Sequence, residues 1–166
     1  MRRADPGPSV VRGHVVTFPD IRPPRWLRIT NKIVIGLQRL GLPIGTMRLL
    51  TVRGRKTGKP RTTPVSPLTV DGQRYIIGGF ARGDWVANAR ANGGAVLAHG
   101  RRTEPIRLTE LPASERGRIM RAFPAEVPHG VFMFLTMGIV DAATPEAFER
   151  GAAKVAVFRI DPPSHQ

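Results

Sequence analysis

An α+β fold built on a small antiparallel barrel is what this sequence predicts, and three observations carry the prediction. Strand-like stretches are short and fall in pairs around turn signals, of which Asp71-Gly72 is the strongest. Helical patterns are brief and clipped between or around the strands, without the regular βαβ alternation of a parallel sheet. The chain has 166 residues, enough for one domain with a substantial core. Short strands that are apolar at alternate positions avoid exposed edges best by curling into a barrel.

The elements follow in order. Residues 1–24 are proline-rich with little periodicity and are expected to form a mobile arm, leaving 25–166 as the single domain. From 25 to 40, Trp26, Ile29, Ile33, Val34, Leu37 and Leu40 recur at helical spacing, with Arg25, Arg28, Lys32 and Arg39 elsewhere on the surface. Such a helix either caps the core or lies, basic and amphipathic, against a membrane surface or a substrate channel. Strands are predicted at Met47–Arg53, Arg61–Val70 and Gln73–Gly78. Asp84 stands where a helix N-cap belongs, and Trp85–Asn92 reads as a helix ended by Gly93-Gly94. Ala95–His99 and Thr103–Leu111 make a hairpin around Gly100-Arg101-Arg102. Ser114–Phe123 is helical, with Ile119, Met120 and Phe123 on one side. Val131–Val140 is too apolar for an exposed loop and should line a core or a pocket. Thr144-Pro145-Glu146 opens a short helix, and Lys154–Ile160 closes the chain as a strand.

Composition narrows the chemistry. The net charge is +14, which draws nucleic acid, anionic membranes or polyanionic small molecules. The cations are spread along the chain, however, and Tyr75 is the single tyrosine. No nucleic-acid-binding motif accompanies them, so nucleic acid is not the expected partner. With no cysteine, disulfides, iron–sulfur clusters and thiol catalysis are excluded. His14, His99, His129 and His165 are too widely spaced for a local metal motif. The start, Met-Arg-Arg followed by Ala-Asp-Pro-Gly-Pro, has no apolar stretch of a signal peptide. A cytoplasmic protein is expected, with residues 25–40 allowing peripheral contact with the inner membrane face. No pattern in the chain specifies an oligomeric state.

The densest chemical signal is Arg53-Gly54-Arg55-Lys56-Thr57-Gly58-Lys59-Pro60-Arg61, which follows the apolar run Met47–Val52. Five cations, two glycines and a threonine in nine residues suit an anion held at the end of a sheet, by backbone N–H groups as well as side chains. They equally suit an ordinary basic hairpin turn. The loop is not a Walker motif, because Gly54 and Gly58 are one residue too close and Pro60 leads into extended chain. No G-x-G-x-x-G opens a helix either, so a Rossmann site is not expected.

The order L-L-T-V-R-G-R-K-T-G-K-P-R-T-T-P (Leu49–Pro64), then Asp71-Gly72, then D-W-V-A-N-A-R-A-N (Asp84–Asn92), resembles the deazaflavin-dependent nitroreductase and quinone reductase family. The resemblance covers about residues 45–161. It implies a split β-barrel with short flanking helices, and a hydride transfer from reduced coenzyme F-420 to an apolar acceptor of quinone, nitroaromatic or enone type. It implies that Arg55, Lys56, Thr57, Gly58 and Arg61 hold the coenzyme's phosphate and poly-glutamate tail, with Pro64 shaping the strand beside it. Trp85 and Asn88 are implied near the coenzyme, and Gly78, Gly79 and Phe80 beside its ring. Better-known members carry a Ser-Lys pair in that last stretch and several tyrosines in the C-terminal half. Here Phe132, Phe134 and Met137 offer an apolar acceptor wall instead. No catalytic side chain is expected, because the cofactor brings the reactive carbon. A non-catalytic deazaflavin- or lipid-binding protein, or an FMN- or haem-binding relative on the same barrel, are the alternatives. His129 is either a proton donor to the product or a loop residue.

Overall fold

The computed structural model describes residues 31–36 and 45–163. The expected arm 1–24 and most of the expected helix 25–40 lie outside them; residues 31–36 are helical and are called α1. The strands are β1 (Arg48–Arg53), β2 (Pro60–Val65), β3 (Leu68–Val70), β4 (Gln73–Gly78), β5 (Gly94–His99), β6 (Arg102–Glu110) and β7 (Ala156–Asp161). The further helices are α2 (Asp84–Asn92), α3 (Ala113–Glu126), α4 (Val131–Thr136) and α5 (Pro145–Arg150), with single 3-10 turns at Pro128–Gly130 and Gly151–Lys154. Among the described residues no helix is long and apolar enough to cross a membrane.

The strands form one antiparallel sheet in the order β2-β1-β5-β6-β7-β4-β3. The single strand expected over Arg61–Val70 is therefore two, broken at Ser66-Pro67. The proline has no N–H to give to a ladder and holds Ser66 extended. This break dictates the shape. β2 and β3 lie at opposite ends of the order, yet only two residues join them. A fully extended residue spans at most about 3.6 Å, so the sheet must curl until its ends approach. The ends do not hydrogen-bond to each other, and the barrel is split.

Alternation along the central strands feeds a core on each face. Ile76, Ala156, Phe158 and Ile160 join Leu50, Val52, Leu97 and Ile106 inside the curl, where Val86 and Ala89 of α2 close one opening. Tyr75 and Val157 point the other way, into a core built with α3, α4 and α5. There Phe123, Phe134 and Phe148 make a three-ring cluster with centroids 4.7–5.5 Å apart. Each fully buried side chain of this size stabilises the fold by roughly 1.5–3 kcal/mol.

The turn signals are realised as left-handed backbone. Asp71 and Gly72 have φ of 52° and 76°, the geometry a two-residue hairpin needs. Gly93 ends α2 at φ 66°, donating its N–H to the Ala89 carbonyl oxygen at 2.8 Å. Thr144 caps α5 by accepting from the Ala147 N–H at 3.2 Å. Asp84, by contrast, is the first residue of α2 and not its cap; Gly83 holds that place and leaves the carboxylate free for another use.

Candidate functional site

The β1–β2 loop closes on itself. The Gly54 N–H donates to the Lys59 carbonyl and the Gly58 N–H to the Gly54 carbonyl, each at 2.8 Å. Gly58 sits at φ 68°, and a methyl on Gly54 would lie 3.1 Å from the Lys59 carbonyl oxygen. The glycines thus make the loop tight, and their N–H groups are spent inside it rather than aimed at an anion. The Thr57 hydroxyl, 3.4 Å from the Lys59 N–H, faces back into the loop as well. Arg53, Lys56, Lys59 and Arg61 project from this frame, exposed, with no carboxylate partner among the described residues.

Arg55 behaves differently from its neighbours. Its guanidinium donates to Asn88 Oδ1 at 2.9 Å and pairs with Asp84 Oδ1 at 3.3 Å, while its backbone N–H reaches Asn88 Oδ1 at 3.0 Å. Asn88 is 4% exposed, buried only because both contacts satisfy its oxygen. One turn further along α2, Asn92 Nδ2 donates to the Arg53 carbonyl at 2.9 Å. Two of the residues expected to contact a ligand, Arg55 and Asn88, are thus brought together and hold each other.

Trp85 is half-buried, its ring centroid 5.5 Å from that of Phe158. Gly78 is small for the same packing reason: a methyl there would lie 2.6 Å from Val86 Cγ2 and 3.1 Å from Trp85 Cζ2. Gly79, the next residue, faces the opposite core. A methyl on it would meet Met137 Cε and Ile139 Cδ1 at 3.5 Å and Phe134 Cζ at 3.6 Å. Phe80 follows, its carbonyl accepting from the Gly83 N–H at 2.7 Å in the turn before α2.

The apolar stretch Val131–Val140 divides between its two expected fates. Phe134 is 5% exposed and belongs to the three-ring core, whereas Phe132 is 73% exposed. Two residues apart on a helix, they face nearly opposite ways, so they cannot line one wall. Met137, half-buried beside Gly79, is the member that borders the end of β4. His129 Nε2 lies 3.0 Å from Ser66 Oγ, joining the exposed start of α4 to the β2–β3 break. Pro64 pairs with Leu49 on an edge strand, where a missing N–H is tolerated.

An open groove of about 400 Å³ runs beside β2, lined by Lys32, Ile35, Gly36, Pro60, Arg61 and Thr62. Lys32 and Arg61 give it two cations. Sequence reasoning missed Asp84 and Asn92 as parts of this region and read Lys32 only as one of the surface cations of its helix. For Asn92 a signal existed, because it stands four residues after Asn88 on the same helix. Among the described residues no three histidine, aspartate or glutamate side chains gather as a metal site would require.

Known proteins can be set beside this geometry. The family model for F420H(2)-dependent quinone reductase matches residues 26–134. Among solved structures, one described as a domain-swapped dimer is similar with a TM-score of 0.51 and 19% identity, covering 82% of this chain and 97% of that one. The protein Atu2129, of unknown function, from Agrobacterium tumefaciens str. C58 is similar with a TM-score of 0.54 and 14% identity, covering 89% and 60%. The F420-H2 dependent reductase FDR-A shares 21% identity over 70% of this chain and 95% of its own, with a TM-score of 0.49. A comparison with curated proteins finds no match. The two folds above a TM-score of 0.5 agree with the split barrel, and the family match takes in the basic loop, the end of β4 and α2 together. The chain belongs to the F420H(2)-dependent quinone reductase family, oxidoreductases whose cofactor is reduced coenzyme F-420.

Proposed function

We propose that this reductase seats the anionic tail of its coenzyme along the β1–β2 loop and reduces an apolar, quinone-type acceptor beside Gly79 and Met137. The observation that carries the reading is the charge of the loop. Among the described residues, Arg53, Lys56, Lys59 and Arg61 have no carboxylate partner although they lie within nine consecutive residues, whereas seven arginines elsewhere are ion-paired. Uncompensated cations on a rigid loop suit a phosphate followed by carboxylates, so the donor set fits the coenzyme's tail. Lys56 and Lys59 would hold it at the loop, and Arg61 with Lys32 along the groove. Thr57 and Gly58 contribute by keeping the loop closed, and Arg55 by anchoring it. Gly79 and Phe80 would border the ring, with Met137, Ile139 and Phe134 packed behind Gly79.

When bound, the reduced deazaflavin supplies a hydride. The chain's part is to hold, orient and shield. Phe134 and Ile139 back Gly79 from the core, and Met137 offers a polarisable, adaptable surface to a flat apolar molecule. Orienting donor and acceptor carbons in one water-poor cleft supplies much of the rate in such reactions. Nitroaromatics and enones share the flat apolar shape and form the next acceptor classes to try. The exposed Ile33 beside Lys32 supports a peripheral membrane contact, through which a lipid-soluble quinone would arrive.

Fluorescence titration with oxidised coenzyme F-420, FMN in parallel, and menadione-dependent oxidation of the reduced coenzyme test this reading. Binding of the deazaflavin near micromolar with turnover of menadione is the expected result. FMN binding without deazaflavin binding would overturn the cofactor assignment, and deazaflavin binding with no oxidation across quinones, nitroaromatics and enones would overturn the acceptor assignment. Flotation with anionic liposomes tests the membrane contact, which falls if the protein stays with the soluble fraction.

A further inference from the structure

We propose that Asn92, with Asn88, is a positioning residue for the coenzyme's tail: the pair locks the basic loop to α2 and thereby sets where its free cations point. The inference rests on the reading that the loop holds the tail. Both asparagines lie on one face of α2, four residues apart. Asn88 Oδ1 accepts twice from Arg55, from the backbone N–H at 3.0 Å and the guanidinium at 2.9 Å. Asn92 Nδ2 donates to the Arg53 carbonyl at 2.9 Å and to the Asn88 carbonyl at 3.2 Å, using both of its amide hydrogens. The gripped groups, Arg53 C=O and Arg55 N–H, stand on either side of Gly54. That glycine is the pliable residue where β1 gives way to the loop.

The loop's internal bonds, Gly54 to Lys59 and Gly58 to Gly54, fix its shape but not its tilt. Beyond the β1–β2 ladder that ends at Arg53 and Pro60, the contacts to α2 hold the loop against the helix. The same helix packs through Trp85 and Val86 on Gly78, next to the proposed ring position at Gly79. One rigid element therefore connects the tail end of the site to the ring end and holds the distance between them. Arg55, shared between Asn88 and Asp84, serves as the pin of this joint rather than as a free anion ligand.

The test compares two ligands: oxidised coenzyme F-420, and its chromophore with the ribityl chain but without phosphate and glutamates. Each is titrated by fluorescence against wild type, Asn92→Ala, the near-isosteric Asn92→Asp, and Lys56→Ala/Lys59→Ala. Both Asn92 variants are expected to weaken the coenzyme about tenfold, the loss of one hydrogen bond's worth of preorganisation. The tail-less chromophore should bind them within about twofold of wild type. Amide hydrogen exchange in the same variants should rise at residues 54–59 and not in α3. A merely structural role would weaken both ligands in parallel, and that result overturns the inference. Wild-type coenzyme affinity in the Asn92 variants, with loss in the lysine variant, also overturns it while leaving the loop reading intact. Undiminished affinity in the lysine variant overturns the loop reading, and the positioning role falls with it.

Discussion

On β4, α2, α3, α5 and β7, seven arginines meet carboxylates; among the described residues of the β1–β2 loop only Arg55 does. Arg74 pairs with Glu104, Arg118 with Asp71, Arg121 with Glu146 and Glu149, Arg150 with Asp141 and Arg159 with Asp161. Glu110 takes both Arg90, at 2.7 Å, and the buried Arg116, at 3.3 Å. The loop brings five cations close together in sequence, and among the described residues only Arg55 of them has an acid, Asp84. Exposed ion pairs add little stability, commonly under about 1 kcal/mol, so the pairing elsewhere is not chiefly a stabilising device. Its consequence is spatial: among the described residues seven arginines elsewhere are matched by acids, while four exposed cations stand within nine residues of the loop without one.

The pairing leaves its mark on protonation. The hydrogen bond from Arg74 holds the Glu104 carboxyl below the ordinary glutamate range, and that from Arg159 does the same for Asp161, where Thr109 adds a second donor. Burial is the leading influence on Arg116 and lowers its pKa. The buried guanidinium is tolerated because it also donates to the carbonyls of Leu111 and Val155, each at 2.9 Å.

The comparison is broken most severely at Arg116. Arg116→Ala should cost about 3 kcal/mol of stability, read as a fall in the urea midpoint, because the Leu111 and Val155 carbonyls lose their donor and Glu110 loses one of its two arginines. In the folded fraction its affinity for coenzyme F-420 should be near wild type. Lys56→Ala/Lys59→Ala should do the reverse. Two charge-assisted contacts at about 1.5 kcal/mol each predict a loss of roughly a hundredfold in affinity with the melting temperature little changed. Salt sharpens the contrast further: from 50 to 500 mM, coenzyme affinity should fall severalfold, since exposed charges are screened beyond about a Debye length. A salt-independent affinity would contradict the field assigned to the loop.

The smallest effect is on acid stability. Because the folded-state pKa of Glu104 and Asp161 is depressed, their contribution is complete above the ordinary values of 4.5 and 3.8 and is lost as pH falls through the folded values. Glu104→Gln should therefore lower stability slightly at neutral pH, by under about 1 kcal/mol and read as a small drop in melting temperature, and the gap should close on acidification. A gap that widens toward low pH would reverse the sign of this linkage.

Much of the fold is legible in local residue order. Asp71-Gly72, Gly93 and Thr144-Pro145 each specify backbone geometry through their own side chains or lack of one, and each appears where expected. The break at Ser66-Pro67 was hidden by flanking residues that all favour extended chain, although Pro67 carried the signal. Phe132 and Phe134 read alike as apolar residues until a helix turns one outward and one inward. Within the site, the number and type of cations on the loop are written in nine consecutive residues. Which of them is free is not. Arg55 is withdrawn by Asp84 and Asn88, about thirty positions away, and the choice depends on how α2 docks over Gly78.

Short-range chemistry thus sets the strands, turns, helix ends and loop charge, since each depends on neighbours a few bonds apart whose preferences act in any context. Three features needed the packed chain: the curl that brings β2 toward β3, the clamp of Asn92 on the Arg53 carbonyl, and the split of arginines into paired and unpaired. Each of these joins groups distant in sequence, and no local preference favours one partner over another. Burial of two cores, one on each face of the curled sheet, selects the partners, because this arrangement hides both apolar faces at once.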